Sequence, residues 1–310
     1  MSRTKTHTAR LTAMATFDTK TYKDNVALGA TSAILAFASL AVMSALVKEA
    51  SQGTSVEVVV FFQNLVCLIV VAPVVIIYGW GEIKTARVGI HVLRAVTGTG
   101  AWLGLFFAIT LMPLTNAVLI TYSAPIWIPL IAWMLHGRKV ERAVWAGVIL
   151  GFMGIVMVLH PSNAALTWGA PLALGAAFLL ALALLSVRWL CETEPNLRIL
   201  FYYFLLSTAL ILPFALFSWQ RPEPWTWIYL AGIGLCLLAS QVLLIVAYRY
   251  ASAVTLAPII YSVIVFTALI NWAVWHQVPS LMEVGGMVLV ILGGVIAMKV
   301  GAKSGEGEVD

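Results

Sequence analysis

Charge is scarce in this sequence. Asp, Glu, Lys and Arg together make up 10% of the 310 residues, against roughly 25% in an ordinary soluble domain. Hydrophobic residues reach 62%. One soluble core cannot hide that much apolar surface, so a soluble globular fold is excluded. A bilayer accommodates it, because the solvent around the helices is itself hydrocarbon. Cysteine is scarce too. Cys67, Cys191 and Cys236 are odd in number, form no CxxC pair and lie in or beside apolar runs. They support neither a disulfide framework nor a zinc site and read as packing residues. Nothing resembles a Walker A loop, which argues against direct use of ATP. There is no HExxH, and His7, His91, His136, His160 and His276 all fall outside the apolar runs or at their ends. An intramembrane enzyme therefore lacks its nucleophile, base or metal cluster. The net charge of +5 comes from scattered residues rather than a stripe, so nucleic acid is not an expected partner. No cofactor or metal is expected either.

What is present is a series of long apolar runs. A window of about 20 residues finds ten: Val26–Val47, Val58–Tyr78, Val92–Leu111, Ala117–Leu135, Val144–Leu159, Gly169–Leu190, Ile199–Phe217, Trp227–Ala247, Val254–Trp275 and Leu281–Val300. The expected fold class is all-α and integral to the membrane, with ten transmembrane helices. Between the third and fourth runs, Met112-Pro113-Leu114-Thr115-Asn116 leaves room only for a tight turn, so those helices should be antiparallel. Residues 1–24 form a basic leader, expected to be disordered and cytoplasmic. The first apolar run is too long for a signal peptide and lacks a convincing cleavage site. Residues 301–310, Gly-rich and acidic, are expected to be a disordered cytoplasmic tail. With the N-terminus inside, all of the 18 Lys and Arg residues except Lys48 and Arg221 fall on the cytoplasmic side. This is a strong positive-inside bias, and a missed or invented span would destroy it.

The chain also resembles itself. The 139-residue shift that carries Tyr122 onto Tyr261 pairs Tyr122-Ser123 with Tyr261-Ser262, Leu130-Ile131 with Leu269-Ile270, Trp133 with Trp272, Gly147 with Gly286, Gly154 with Gly293 and Val156 with Val295. The shift lays runs three to five over runs eight to ten. Each repeat is then five helices long, 25–160 and 161–300, and an odd number of crossings puts the two in opposite orientations. Inverted repeats place a substrate site near the midplane between the halves.

Several stretches carry a family likeness. They are Val47-Lys48 at the end of the first run, Arg94 at the entry to the third, and Phe107-Ala108-Ile109 through Pro113-Leu114-Thr115-Asn116-Ala117. Tyr122-Ser123-Ala124-Pro125 follows, and its echo is Ala247 through Pro258 with Tyr261-Ser262. Each half ends on a Gly-rich run, Gly147–Gly154 and Gly285–Gly294. Over roughly residues 25–300 the ordered set resembles the drug/metabolite transporter superfamily, in particular its EamA-type ten-helix members. The resemblance implies a transporter of small metabolites in the cell's inner (plasma) membrane. The chain departs from the family pattern where a Gly-Glu pair often follows the fourth and ninth spans: it has Gly137-Arg138 and His276-Gln277. Where many members have an Arg early in the second span, it has Gln63-Asn64.

Polar groups in hydrocarbon need a partner or a purpose, so each candidate has two readings. Lys48 and Arg94 either snorkel at helix ends or guard the mouths of a cavity. Gln63 and Asn64 bind a neighbouring helix or cargo, and Asn116 stands with them. Tyr122-Ser123 and Tyr261-Ser262 each share a run with a proline, Pro125 and Pro258, which frees a carbonyl. They mark matched helix interruptions at a midplane site, or packing kinks. Trp102 and Phe106 form one face of the third run, as packing or as an aromatic wall. Gln241, beside Ser240, is a candidate hydrogen-bond donor to cargo. Gly100/Gly104 and Gly147/Gly151 are close-packing surfaces within the chain or in a weak homodimer. The combined expectation is a monomeric or weakly dimeric secondary carrier working by alternating access. Its cargo would be an amino acid or related amphipathic compound. A vitamin or nucleoside-type cofactor, of the riboflavin or S-adenosylmethionine class, is the second candidate. A channel is disfavoured by the duplicated halves.

Overall fold

The structure is a computed structural model that describes residues 25–79, 83–112, 114–136, 140–159, 168–276 and 278–306. In hydrocarbon a backbone must bond to itself, and long apolar runs answer by forming helices. The described residues hold α1 (Val26–Ala50), α2 (Val56–Tyr78), α3 (Val88–Leu111), α4 (Leu114–Thr121), α5 (Ala124–His136) and α6 (Arg142–Leu159). They continue with α7 (Gly169–Cys191), α8 (Asn196–Phe217), α9 (Thr226–Tyr250), α10 (Ala253–Leu256), a 3-10 turn (Ala257–Tyr261), α11 (Ser262–Trp275) and α12 (Leu281–Glu306). There is no strand among them. Eight stretches are long and apolar enough to cross a membrane, two of them running through the α4–α5 break and the α10–α11 break. The others are α1, α2, α6, α7, α8 and α9. In chain order α3 and α12 fill the two remaining expected places, α12 with a shorter apolar stretch, Leu281–Ile296.

Helix ends follow local chemistry. Asn25 caps α1 by accepting the Leu28 N–H at 3.1 Å, as short polar side chains do for the orphan donors of a first turn. Gly79 ends α2 at φ +97°, where a side chain would be strained. α3 begins at Val88, four residues before the expected Val92, which carries His91 and Arg94 into the helix proper. α12 runs on to Glu306, into the segment expected to be a disordered tail, because Ala302, Lys303 and Glu306 are good helix formers. The basic leader and the Gly137-Arg138 and Gln277 positions lie outside the described residues.

The helices pack in pairs: α1 along α9, α3 along α7, α2 on α8, and α6 on α12, with α5 against α7 and α11 against α1. Exchanging each expected span with the one five places away turns α1–α9 into α3–α7 and α5–α7 into α1–α11, and returns α2–α8 and α6–α12 to themselves. The α6–α12 contact shows how close this pairing is. A Cβ on Gly154 would stand 2.6 Å from the Gly286 carbonyl oxygen, and one on Gly293 2.6 Å from that of Gly147. Those are the four glycines related by the 139-residue shift, now crossed over one another. Close backbone approach of this kind is how small residues join helices in lipid. The cysteines serve packing as well: the Cys67 thiol donates to the Gly234 carbonyl at 3.0 Å and the Cys191 thiol to that of Ile245 at 3.6 Å.

Polar knots close both ends. At one, Thr54 donates to the Gln220 carbonyl at 2.7 Å and Ser55 to that of Ser218 at 2.8 Å, joining the α1–α2 connection to the chain after α8. At the other, the buried Glu194 carboxylate accepts from Thr85 and Arg198, both at 2.6 Å. Arg249 donates there to the Glu194 carbonyl at 2.6 Å and to the Asn196 side chain.

Two predictions follow from the packing. Gly154→Leu should abolish a cooperative thermal transition in detergent, because its Cβ meets backbone that cannot retreat. Gly175→Ala, whose Cβ meets nothing within 4 Å, should hold or raise stability, by up to about 1 kcal/mol. His276 ends α11 at φ 54°, ψ 26°, a left-handed conformation suited to glycine. His276→Gly relieves that conformation and should raise the melting temperature, with a gain of about 1 kcal/mol.

Candidate functional site

The two helix breaks begin with proline. Pro125 has no N–H for the carbonyl of Thr121 four residues earlier. The chain answers with a tightened turn: Tyr122 donates to the Val118 carbonyl at 2.9 Å, Ser123 to that of Ile120 at 3.0 Å, and Ile126 to that of Ser123 at 2.8 Å. Pro258 does the same in the other half. It opens the 3-10 turn Ala257–Tyr261, and α-helix resumes at Ser262. The two interruptions therefore fall at Tyr122-Ser123 and at Ala257–Tyr261, so that Tyr122 of the first is matched by the internal repeat to Tyr261, the last residue of the second.

Between the breaks is a cavity with about 130 Å³ of room for water centres. Its wall comes from both halves: Phe37 and Leu40 of α1, Arg94 to Leu105 of α3, Thr121 and Tyr122 at the first break, Leu180 to Val187 of α7, Tyr203 of α8, Leu237 to Leu244 of α9, and Ile260 at the second break. The lining is mostly apolar and aromatic. Arg94 and Gln241 are its main polar features.

Arg94 is 3% exposed. Its Nη2 donates to Gln241 Oε1 at 2.7 Å, its Cζ lies 4.5 Å from the centroid of the Tyr203 ring, and its Nε has no hydrogen-bond partner. Snorkelling at a helix end does not describe this geometry, because the early start of α3 sets Arg94 too deep. Gln241 lies across the cavity on α9, and the 139-residue shift relates it to Trp102, which also lines the cavity.

Other expected residues lie elsewhere. Tyr122 lines the cavity, whereas its counterpart Tyr261 is fully buried away from it, with its ring over Gly151 and its hydroxyl unbonded. Ser123 and Ser262 sit in the breaks with unbonded hydroxyls and outside the lining. Asn64 is buried in α2 and donates to the Val60 carbonyl at 2.8 Å. Gln63 and Asn116 are buried but do not line the cavity. Lys48 is exposed, with Nζ 3.8 Å from the centroid of the Trp275 ring. The side chain of Phe106 is outside the described set. Gly100 and Gly104 face Leu179 and Ala176 of α7 within the chain. Tyr203 and the Leu180–Val187 face of α7 line the cavity as well, although neither was among the expected site residues. The Tyr202-Tyr203 pair inside an apolar run was the available signal for the first. The second has none, since Leu and Ala face lipid and cavity alike.

Comparison with known proteins agrees with this architecture. The family described as EamA-like transporters matches the chain twice, over residues 27–160 and 167–298. The chain is 28% identical to the pseudopaline exporter of Pseudomonas aeruginosa over 84% of this chain and 92% of that one. It is 25% identical to the S-adenosylmethionine uptake transporter of Rickettsia prowazekii, over 75% and 79%. It is 26% identical to the riboflavin transporter of Vibrio cholerae, over 80% and 86%. A crystal structure superposes with a TM-score of 0.78 at 18% identity, covering 90% of this chain and 99% of that one, a likeness of fold alone. The chain is thus a multi-pass membrane protein and a transporter rather than an enzyme, and it belongs to the EamA-like transporter family.

Proposed function

We propose that the protein is a secondary carrier of a small amphipathic metabolite, an amino acid or a related compound, moved by alternating access. The supporting observation is the cavity itself: it lies between two matched helix breaks, is walled by both halves, and sets one cation and one amide among aromatic and aliphatic side chains. Pockets with few polar groups in an apolar wall orient amphipathic ligands. In this reading the chain crosses the inner membrane ten times with both termini cytoplasmic, and residues 25–160 and 161–300 are inverted five-helix repeats. The Glu194 end is then cytoplasmic and the Thr54–Gln220 end external. Rocking of one half on the other around the cavity exposes it to each side in turn. The ring faces of Trp102, Tyr122 and Tyr203 also favour a second reading, a flat-ringed vitamin or nucleoside-type cofactor.

Purified protein in proteoliposomes should show saturable uptake of a labelled amino-acid mixture or of one compound from a vitamin and nucleoside panel. Unitary currents or product formation would sink the carrier reading. Tyr122→Ala should weaken ligand-induced thermal stabilisation and raise KM with little change in unliganded melting. Tyr261→Ala should instead destabilise the protein by about 3–5 kcal/mol, as large buried aromatics do. If both variants behave alike, the cavity is not the transport site.

A further inference from the structure

We infer that Arg94 is the receptor for a substrate carboxylate, so that the transported class is a single carboxylate joined to an apolar or aromatic body. The inference rests on the carrier reading and deepens it. Two charged side chains are buried among the described residues, Arg94 and Glu194. Glu194 is answered by Arg198 and Thr85 at 2.6 Å. Arg94 is not answered by any carboxylate of the described residues. Its acceptor is the neutral oxygen of Gln241, and its Nε is buried and unbonded.

A guanidinium offers five N–H donors in a planar fork. One bond to an amide leaves the charge without a counter-ion in a mostly apolar wall. A carboxylate entering the cavity accepts two parallel N–H bonds and cancels the charge. The geometry fits this: the Tyr203 ring holds one face of the guanidinium, and Gln241 fixes its orientation without neutralising it. The cavity holds one cation, so a dianionic phosphate would carry its second charge into an apolar wall uncompensated. The aromatic sides, Trp102 and Tyr122, are left for the substrate's body.

The full-length protein is titrated with matched acids and amides: L-tryptophan and L-tryptophanamide, L-leucine and L-leucinamide, indole-3-acetate and indole-3-acetamide, with phenyl phosphate alongside. Thermal stabilisation in detergent reads binding, and proteoliposome uptake reads transport. At least one acid should bind, with its amide and phenyl phosphate weaker by about ten-fold or more. Arg94→Gln, which can still donate to Gln241, should remove the preference for the acid and leave unliganded melting unchanged or higher. Arg94→Lys should keep part of the preference. Should Arg94→Gln fail to fold, Gln241→Glu supplies an internal carboxylate and should displace the acids. Equal binding of acids and amides, binding of none of the acids, tighter phosphate binding, or acid preference that survives Arg94→Gln or Gln241→Glu overturns the assignment. Saturable flux of neutral solutes that is indifferent to Arg94→Gln overturns it and leaves the carrier reading standing. Absence of saturable flux for every solute overturns the carrier reading even where an acid binds.

Discussion

The structure depends on one constraint: a backbone in hydrocarbon must satisfy its own hydrogen bonds. Each departure from regular helix is therefore costly unless protein or a cavity surrounds it. The described chain departs inside its apolar runs at two main places, Tyr122-Ser123 and Ala257–Tyr261. Both are wrapped by neighbouring helices, and both touch the one cavity wall, through Thr121 and Tyr122 in one half and Ile260 in the other. Proline begins each break, but burial makes it tolerable.

The same constraint explains how the halves are joined. Lipid tails are as apolar as leucine, so helices in a bilayer gain little by hiding apolar surface and associate through close packing. At the α6–α12 contact, Gly154 meets Gly286 and Gly293 meets Gly147 with only backbone between them. The polar knots at the two ends differ in strength: side-chain-to-carbonyl bonds tie Thr54 and Ser55, while a buried ion pair and an Arg249 clamp gather around Glu194. On the alternating-access reading, those ends would carry the asymmetry that rocking needs, since closing one must be compatible with opening the other.

Much of this was legible in the sequence, and for physical reasons. Apolar runs of bilayer length, the placement of Lys and Arg, and prolines in the corresponding runs of the two halves report on each segment's own environment. The positions of the two breaks could be read that way. Which partner of a matched pair faces the cavity could not. Tyr122 and Tyr261 are equivalent in sequence, but Tyr261 lies over Gly151, and that choice belongs to a helix packed from elsewhere in the chain. Arg94 could be read either as a helix-end residue or as a cavity residue because hydropathy starts the third run at Val92, while the helix itself starts at Val88. The α7 wall was invisible because its Leu and Ala residues carry no mark to separate cavity from lipid.

The partner that Arg94 does have is neutral, the side-chain oxygen of Gln241. A glutamate in place of Gln241 would have neutralised the guanidinium and stabilised the empty cavity by a buried ion pair. Glutamine holds the side chain in place and leaves its charge in the pocket. On the carboxylate reading, the empty carrier is then the state with an uncompensated charge, and a cargo whose one charge is its carboxylate makes the loaded carrier nearly neutral. A low-dielectric closure around a net charge is costly, whereas closure around a matched pair is far less so. Loading would therefore favour the occluded intermediate through which the two halves exchange positions, and the empty carrier would cross it less readily. That is the behaviour of an exchanger, or of a carrier whose return is rate-limiting. On that reading it would come from a single neutral amide placed 2.7 Å from a buried cation.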